Sequence, residues 1–251
     1  MKMFKGMALE HINLFPERPT LVMLHDSLGC ITLWRDFPKK LAEATQCNLL
    51  LYDRIGYGQS QAMETAARTI NYLALEADVL NDLLKAMDIS NAILFGHSDG
   101  GSIALITAGK YPDRIKAVIV EAAHIFVEEI TLKGIRVAKE AYQNTDLSKR
   151  LEKYHGNKTD TLFKAWTETW LSLDFSAWNI EYLLKGIHCP LLFIQGEQDE
   201  YGTLDQVKRT IALVSGKATS CIIPNVGHTP HKESPNETLS SAEKFIVDIL
   251  G

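Results

Sequence analysis

The sequence predicts an α/β fold: a mostly parallel β-sheet with helices on both faces. Three observations carry this. Short runs bare of polar residues recur along the chain, such as Leu21-Val22-Met23-Leu24 and Leu49-Leu50-Leu51. Nearly every such run is followed by a stretch with apolar residues at helical spacing. A single long segment, 124–189, interrupts the alternation with helical pattern alone. Strands apolar on both faces, alternating with helices, belong to parallel sheets covered on both sides.

Taken in order, residues 3–14 allow one or two antiparallel edge strands. A strand is expected over 20–25, a helix over 31–45, and a strand over 47–52. Ile70, Leu73, Ala77, Leu80, Leu84 and Met87 recur at intervals of three and four, which predicts one face of a helix over 69–87. A strand over 91–95 and a helix over 102–111 follow, the helix closed by Pro112. A strand is expected over 115–120. Beyond the interruption come strands over 190–194 and 218–223, with a helix over 203–214 between them and a last helix over 234–250.

The chain has 251 residues, of which 46% are hydrophobic and 23% charged, a balance that excludes a disordered chain. A formal net charge of −5 gives no electrostatic reason to bind nucleic acid. No apolar run approaches a membrane span, and none of secretory-signal length follows the first basic residues. Cys30, Cys47, Cys189 and Cys221 are scattered, with no Cys-x-x-Cys pair, so neither a disulfide framework nor a zinc site is expected. Cys47, Cys189 and Cys221 read as small buried hydrophobes. A reducing, cytoplasmic location fits these features.

Residues 124–189 hold nine of the 21 aromatic residues, about twice the density elsewhere, while their nine acidic and nine basic residues cancel. The segment reads as a helical excursion with its own small core, whose aromatic side lines a pocket. The expected division is therefore a core of residues 1–123 and 190–251 with a helical cap over 124–189, inserted between strands six and seven.

The chemistry centres on Gly96-His97-Ser98-Asp99-Gly100, placed between an expected strand and an expected helix. Gly-x-Ser-x-Gly in that context is a turn too sharp for side chains at its flanks. It lifts the serine hydroxyl above the sheet and aims a helix N-terminus at it. A serine hydroxyl needs a base, and the base an orienting acid. Asp199 lies in the polar turn after the 190–194 strand, and His228 in the loop after the 218–223 strand. Loops at the carboxyl ends of such strands meet at one rim, where ligands bind.

These residues, with Leu24-His25-x-x-x-Gly29 and the Asp53-Arg54-Ile55-Gly56-Tyr57-Gly58-Gln59-Ser60 loop, make the chain resemble the α/β-hydrolases that carry a helical cap. The resemblance covers nearly the whole sequence. It implies Ser98 as nucleophile, His228 as general base and then acid, and Asp199 as its partner. It also implies an oxyanion hole from the backbone amides of Ser27 and Asp99. Two positions depart from the family pattern. Asp26 stands where the family usually has glycine, and is expected to tolerate a left-handed backbone. Ile55 precedes Gly56 where arginine is frequent, and that loop reads as structural support.

Several residues compete with these assignments. Glu197 and Glu200 read as solvated carboxylates of the Asp199 turn, and Glu121, ending the sixth strand, as a buried hydrogen-bond partner. His231 reads as a rim residue, His25 and His97 as structural hydrogen-bonders, and His11, His155 and His188 as unremarkable. The expected substrate-facing residues are Asp99, His124, Trp166 and Trp170. Asp99 reads first as a brace of the turn and second as an anionic anchor for an ammonium group. The second reading follows from Ser98-Asp99-Gly100-Gly101, which resembles the biphenyl-hydrolase-like enzymes that cleave α-amino-acid esters.

The expected function is hydrolysis of a small ester through an acyl-enzyme, with no cofactor and no metal. The expected partner is a small-molecule substrate, without nucleic acid or membrane, the enzyme being a monomer or a homodimer. The alternatives are a C–C bond hydrolase of ring-cleavage products, a lactonase, a cofactor-free lyase or synthase, and a non-catalytic ligand receptor of the same fold.

Overall fold

The computed structural model describes residues 2–251. Eight strands form one sheet: β1 (Lys2–Phe4), β2 (Met7–Ile12), β3 (Thr20–Leu24), β4 (Asn48–Tyr52), β5 (Ala92–His97), β6 (Ile115–Glu121), β7 (Leu191–Gly196) and β8 (Ala218–Ile223). Their spatial order is β1-β2-β4-β3-β5-β6-β7-β8. The first two strands run antiparallel to their neighbours, and the other six are mutually parallel.

Strand alternation splits the apolar side chains between the two faces. Val22, Leu50, Leu94 and Val118 point to one side, beneath α2 (Tyr72–Ala86) and α3 (Asp99–Lys110). Leu21, Leu49, Ile93 and Ala117 point to the other, covered by α1 (Phe37–Thr45) and the C-terminal helix Pro235–Leu250. Both faces are thereby dry, as the unbroken apolar runs require.

Several element boundaries differ from the expectations. The stretch 31–45 is not one helix: a 3-10 turn over Ile31–Trp34 ends at Arg35, whose φ is 54°, and α1 starts afresh with Pro38 in its first turn. The helix expected over 69–87 begins only at Tyr72, which leaves Ile70 exposed ahead of it and buries Tyr72 instead. Helix α3 starts three residues early, at Asp99. Cys189 and Cys221 are half-buried rather than buried, whereas Cys30 is fully enclosed.

Between β6 and β7 the chain forms α4 (Glu129–Asn144), α5 (Leu147–His155), α6 (Thr159–Trp170) and the single turn α7 (Glu181–Leu184). Their aromatic residues do not keep a separate core. Trp166, Trp170, Phe175 and Trp178 are continuous with the apolar side chains of α2, α3 and the sheet. Trp170 makes this join, since its ring meets Phe175 at 4.9 Å and its indole N–H donates to the Tyr72 hydroxyl at 2.9 Å. The chain closes with α8 (Leu204–Leu213), capped by the Thr203 hydroxyl, then α9 (Pro230–Glu233) and α10 (Pro235–Leu250). Among the described residues, no helix is long and apolar enough to cross a membrane.

The parallel strands end in register. Leu24 pairs with Gly96, His97 with Glu121, and Gly196 with Ile223, so the loops that follow them rise at one rim. Glycine is required at the β5 exit by close approach. A Cβ on Gly96 would sit inside the backbone carbonyl of Gly100, and one on Gly100 inside that of Leu24. Backbone cannot yield as a side-chain tip can. Gly96→Ala is therefore expected to destabilise the fold by about 3 kcal/mol or more, at the upper end of overpacking effects, read as a lowered midpoint in urea unfolding.

Candidate active site

The residue after β5, Ser98, has φ 54° and ψ −119°, a conformation costly for any side chain but glycine. It persists because Ser98 is fixed from both sides. Its N–H donates to the Glu121 carbonyl at 2.9 Å, and its carbonyl accepts the Ser102 N–H at 3.0 Å. The hydroxyl is thereby turned away from the sheet, toward the loop after β8. There the His228 Nε2 lies 3.0 Å from Ser98 Oγ, and His228 Nδ1 lies 2.9 and 3.0 Å from the two carboxylate oxygens of Asp199.

These distances assign the protons. A carboxylate only accepts, so Nδ1 carries hydrogen, and the Nε2 lone pair takes the hydrogen bond from the Ser98 hydroxyl. Burial would push the Asp199 carboxyl up, but the His228 imidazole and the Tyr201 N–H outweigh it and hold it down at about 2. Burial pulls His228 down, and the adjacent Asp199 overrides this, raising its pKa above the usual histidine value. Of the neighbouring acids, Glu197 is exposed. Glu200 is more than the solvated carboxylate expected, because its Oε2 accepts the His228 backbone N–H at 3.2 Å.

A second acid–imidazole pair lies beneath. Glu121, fully buried, accepts from the His231 backbone N–H and from its Nδ1, the latter at 2.8 Å. His231 is thus not the rim residue expected. It is 6% exposed and packs on Trp34 with ring centroids 4.6 Å apart, because Pro230 opens a helical turn that folds it inward. His97 fills the space between the two pairs and donates from Nε2 to the His228 carbonyl at 2.8 Å. Burial lowers the His97 pKa to about 4, so it is a neutral support.

The loop after β3 reaches the same rim. His25 donates from Nδ1 to the Asp26 carbonyl at 2.8 Å and accepts the Arg54 N–H on Nε2 at 3.1 Å. Asp26 is not among the residues of positive φ, so the left-handed backbone expected of it is not adopted. Its carbonyl is fixed instead, by the Arg54 guanidinium at 2.7 Å as well as by His25. Its side chain lies over Gly29, where a Cβ would collide with it. Burial would raise the Asp26 carboxyl, yet the basic groups around it, Lys232 the permanent cation among them, outweigh burial and hold it below the usual aspartate value.

A cavity of about 230 Å³ opens above Ser98. Ser27, Asp99 and His228 form its floor with Ser98, and the expected His124, Trp166 and Trp170 stand in its wall. Tyr201 completes the wall, its ring 4.7 Å from His228. Asp99 is the first residue of α3, so its N–H has no acceptor within the helix. The Asp99 side chain is 1% exposed; Tyr72 donates to its Oδ2 at 2.9 Å, and the buried Arg54 guanidinium lies 3.8 Å from the same atom. Among the described residues, no group of three His, Cys, Asp or Glu side chains is gathered as a metal ion would need.

Some contributors carry no signal in the sequence. Arg54 was legible as part of a turn, not as the buried counter-charge of Asp99. His155, on α5, accepts the Gly58 N–H on Nδ1 at 3.0 Å and donates from Nε2 to the Leu28 carbonyl at 3.0 Å. Lys158 donates to the carbonyls of Tyr57, Gly58 and Ser60. The helical segment therefore holds both the 53–60 loop and the residue after Ser27.

A sequence model of the alpha/beta hydrolase fold matches residues 19–177. The human protein "Serine hydrolase BPHL" is 29% identical over 207 residues, which cover 79% of this chain and 69% of that one. Among solved structures, the alpha/beta hydrolase MGS-M2, from a deep-sea metagenome library, superposes with a TM-score of 0.76 at 22% identity, covering 95% of this chain and 93% of its own. A carboxylesterase study of the thaumarchaeon Nitrososphaera gargenis supplies a second, with a TM-score of 0.78 at 18% identity over 100% of this chain and 98% of that one. At these identities the two structures are similar in fold alone.

Proposed function

The chain belongs to the alpha/beta hydrolase fold family, and from that premise we propose that it is a serine hydrolase that cleaves a small carboxylic ester. The observation that carries the reading is the continuous hydrogen-bonded line from Ser98 Oγ through His228 to Asp199. Ser98 attacks the ester carbonyl while His228 Nε2 takes its proton. The negative oxygen that forms is held by the N–H groups of Ser27 and Asp99. His228 then protonates the departing alcohol, leaving an acyl group on Ser98. A water, deprotonated by the same imidazole, releases the acid and restores the serine.

Residues 124–189 act in this reading as a cap on the core formed by 1–123 and 190–251, with Trp166 and Trp170 as the apolar wall against which the substrate packs. Asp99 braces the floor, since its charge is already shared with Arg54 and Tyr72.

The direct test is a panel of p-nitrophenyl esters, lactones and vinylogous diketones, joined to labelling with a fluorophosphonate followed by mass spectrometry. The expected outcome is turnover of esters and a single adduct on Ser98. Turnover of lactones or diketones alone would transfer the same residues to those substrates. Tight saturable binding without turnover of any class would make the protein a receptor.

The proton assignments also predict a pH dependence. His228 serves as a base only when neutral, and Asp199 holds its pKa above the ordinary value of 6.5. Ester kcat/KM is therefore expected to be full at alkaline pH and to fall tenfold per unit as pH drops below that raised value. A profile flat from pH 9 to pH 5 would contradict the role given to His228.

A further inference from the structure

The cavity above Ser98 is small. Its volume of about 230 Å³ lies below the usual range of roughly 300–1,000 Å³ for small-molecule sites. Asp26 and Leu28, in its wall, are also wall residues of a second cavity of about 430 Å³. That second cavity lies between α5, the loop after β3 and α9. Its apolar surface comes from Leu33, Leu147 and Leu151 with the ring of Tyr154.

Its charged groups are of nearly one sign. Arg150 and Lys153 project from α5 and Lys232 from α9, against the single carboxylate of Asp26. Arg150 shares its Nε with Asp146 at 3.2 Å. Among the described residues, Lys153 and Lys232 enter no ion pair. Three cations gathered at one apolar cleft contrast with a chain whose net charge is −5. Leu28, which directly follows Ser27, and Asp26 border both cavities, so the cleft adjoins the one above Ser98.

We propose that this second cavity is a binding subsite for the end of the substrate remote from the ester bond, an apolar chain that terminates in an anionic group. The chain lies along Leu28, Leu33 and Leu151, and its terminal carboxylate or phosphate is held by Arg150, Lys153 and Lys232. The substrate class is thereby an ester of a dicarboxylic acid, or of a phosphate-bearing chain, rather than a plain fatty ester. The subsite rests on the acyl-transfer reading of Ser98 for its function, while its binding can be measured without turnover.

The test pairs p-nitrophenyl octanoate with the p-nitrophenyl monoester of octanedioic acid, which adds a terminal carboxylate, and with a phosphate-terminated analogue of equal length. Wild-type kcat/KM is expected to favour the anionic esters by about tenfold, the sum of several exposed ion pairs. In Lys153→Gln/Lys232→Gln, which keeps Arg150, that preference falls to about twofold, through KM. In Lys149→Gln, on α5 but outside the cleft, it is kept. Titration of the Ser98→Ala protein with the same three compounds reads the subsite alone, and the same tenfold difference in Kd is expected. Equal affinity for all three compounds, or a preference unmoved by the double variant, overturns the subsite. Selective binding without turnover in the wild type keeps the subsite and removes the acyl-transfer reading. The carboxylate and phosphate arms identify which anion the cleft prefers.

Discussion

Ser98→Ala is expected to lower kcat on a plain ester by about 10⁴-fold or more while leaving the fold intact. The size follows from the unity of the hydrogen-bonded line. Without Oγ the imidazole has no hydroxyl to deprotonate, and only the floor amides and binding contacts remain to assist water. Stability should change by less than about 0.5 kcal/mol, because the bonds that fix the turn are made by the Ser98 backbone, to Glu121 and Ser102. Steady-state kinetics with urea unfolding of the same preparation checks both halves. A variant that keeps more than a tenth of wild-type kcat would remove Ser98 from the reaction.

Asp99→Ala is expected to cost about 3 kcal/mol of stability. Arg54 is 1% exposed, its Nε and Nη1 have no hydrogen-bond partner, and Asp99 at 3.8 Å is its nearest carboxylate, with Glu76 acting from farther off. Removing one member of a buried pair strands the other charge. The Nη2 bond to the Asp26 carbonyl survives, which places the cost at the lower end of such effects. Tyr72 also loses its acceptor, and the Trp170 N–H donates to that same hydroxyl. Asp99→Asn retains an acceptor for Tyr72 and should recover part of the loss. Activity is expected to fall in Asp99→Ala by the same factor on α-amino esters and on their des-amino counterparts, as a brace requires. A drop confined to the amino esters would instead mark Asp99 as an ammonium anchor.

The parts of this architecture that were legible in the sequence share a local cause. Strand runs such as Leu49-Leu50-Leu51 and the turn Gly96 to Gly100 are written in a few consecutive residues, because backbone geometry at a strand exit restricts its own neighbours. Ser98, Asp199 and His228 could be placed at one rim for the same reason, each lying just past a strand. What escaped depends on residues far apart in the chain. Arg54 meets Asp99 across 45 positions, and Tyr72 meets Trp170 across 98, with no local pattern. His155 lacks a motif because its partners are backbone groups of Gly58 and Leu28. His231 was misplaced because the turn that folds it under His97 is set by packing on Trp34. The own core expected of residues 124–189 failed because aromatic density says that side chains are buried, not against what.

The bonds from α5 and its following turn have a bearing on how the molecule opens. A loop on a sheet rim ordinarily frays by itself, with amides that exchange early. The Gly58 amide cannot do so, since its acceptor is the His155 ring, and the carbonyls around it are taken up by Lys158. The 53–60 loop, the Leu28 carbonyl and the α5 helix are consequently expected to open as one cooperative unit. In hydrogen–deuterium exchange the Gly58 amide should report the opening of a helix nearly a hundred residues away in sequence, sharing its free energy and its denaturant dependence rather than those of the loop in which it lies.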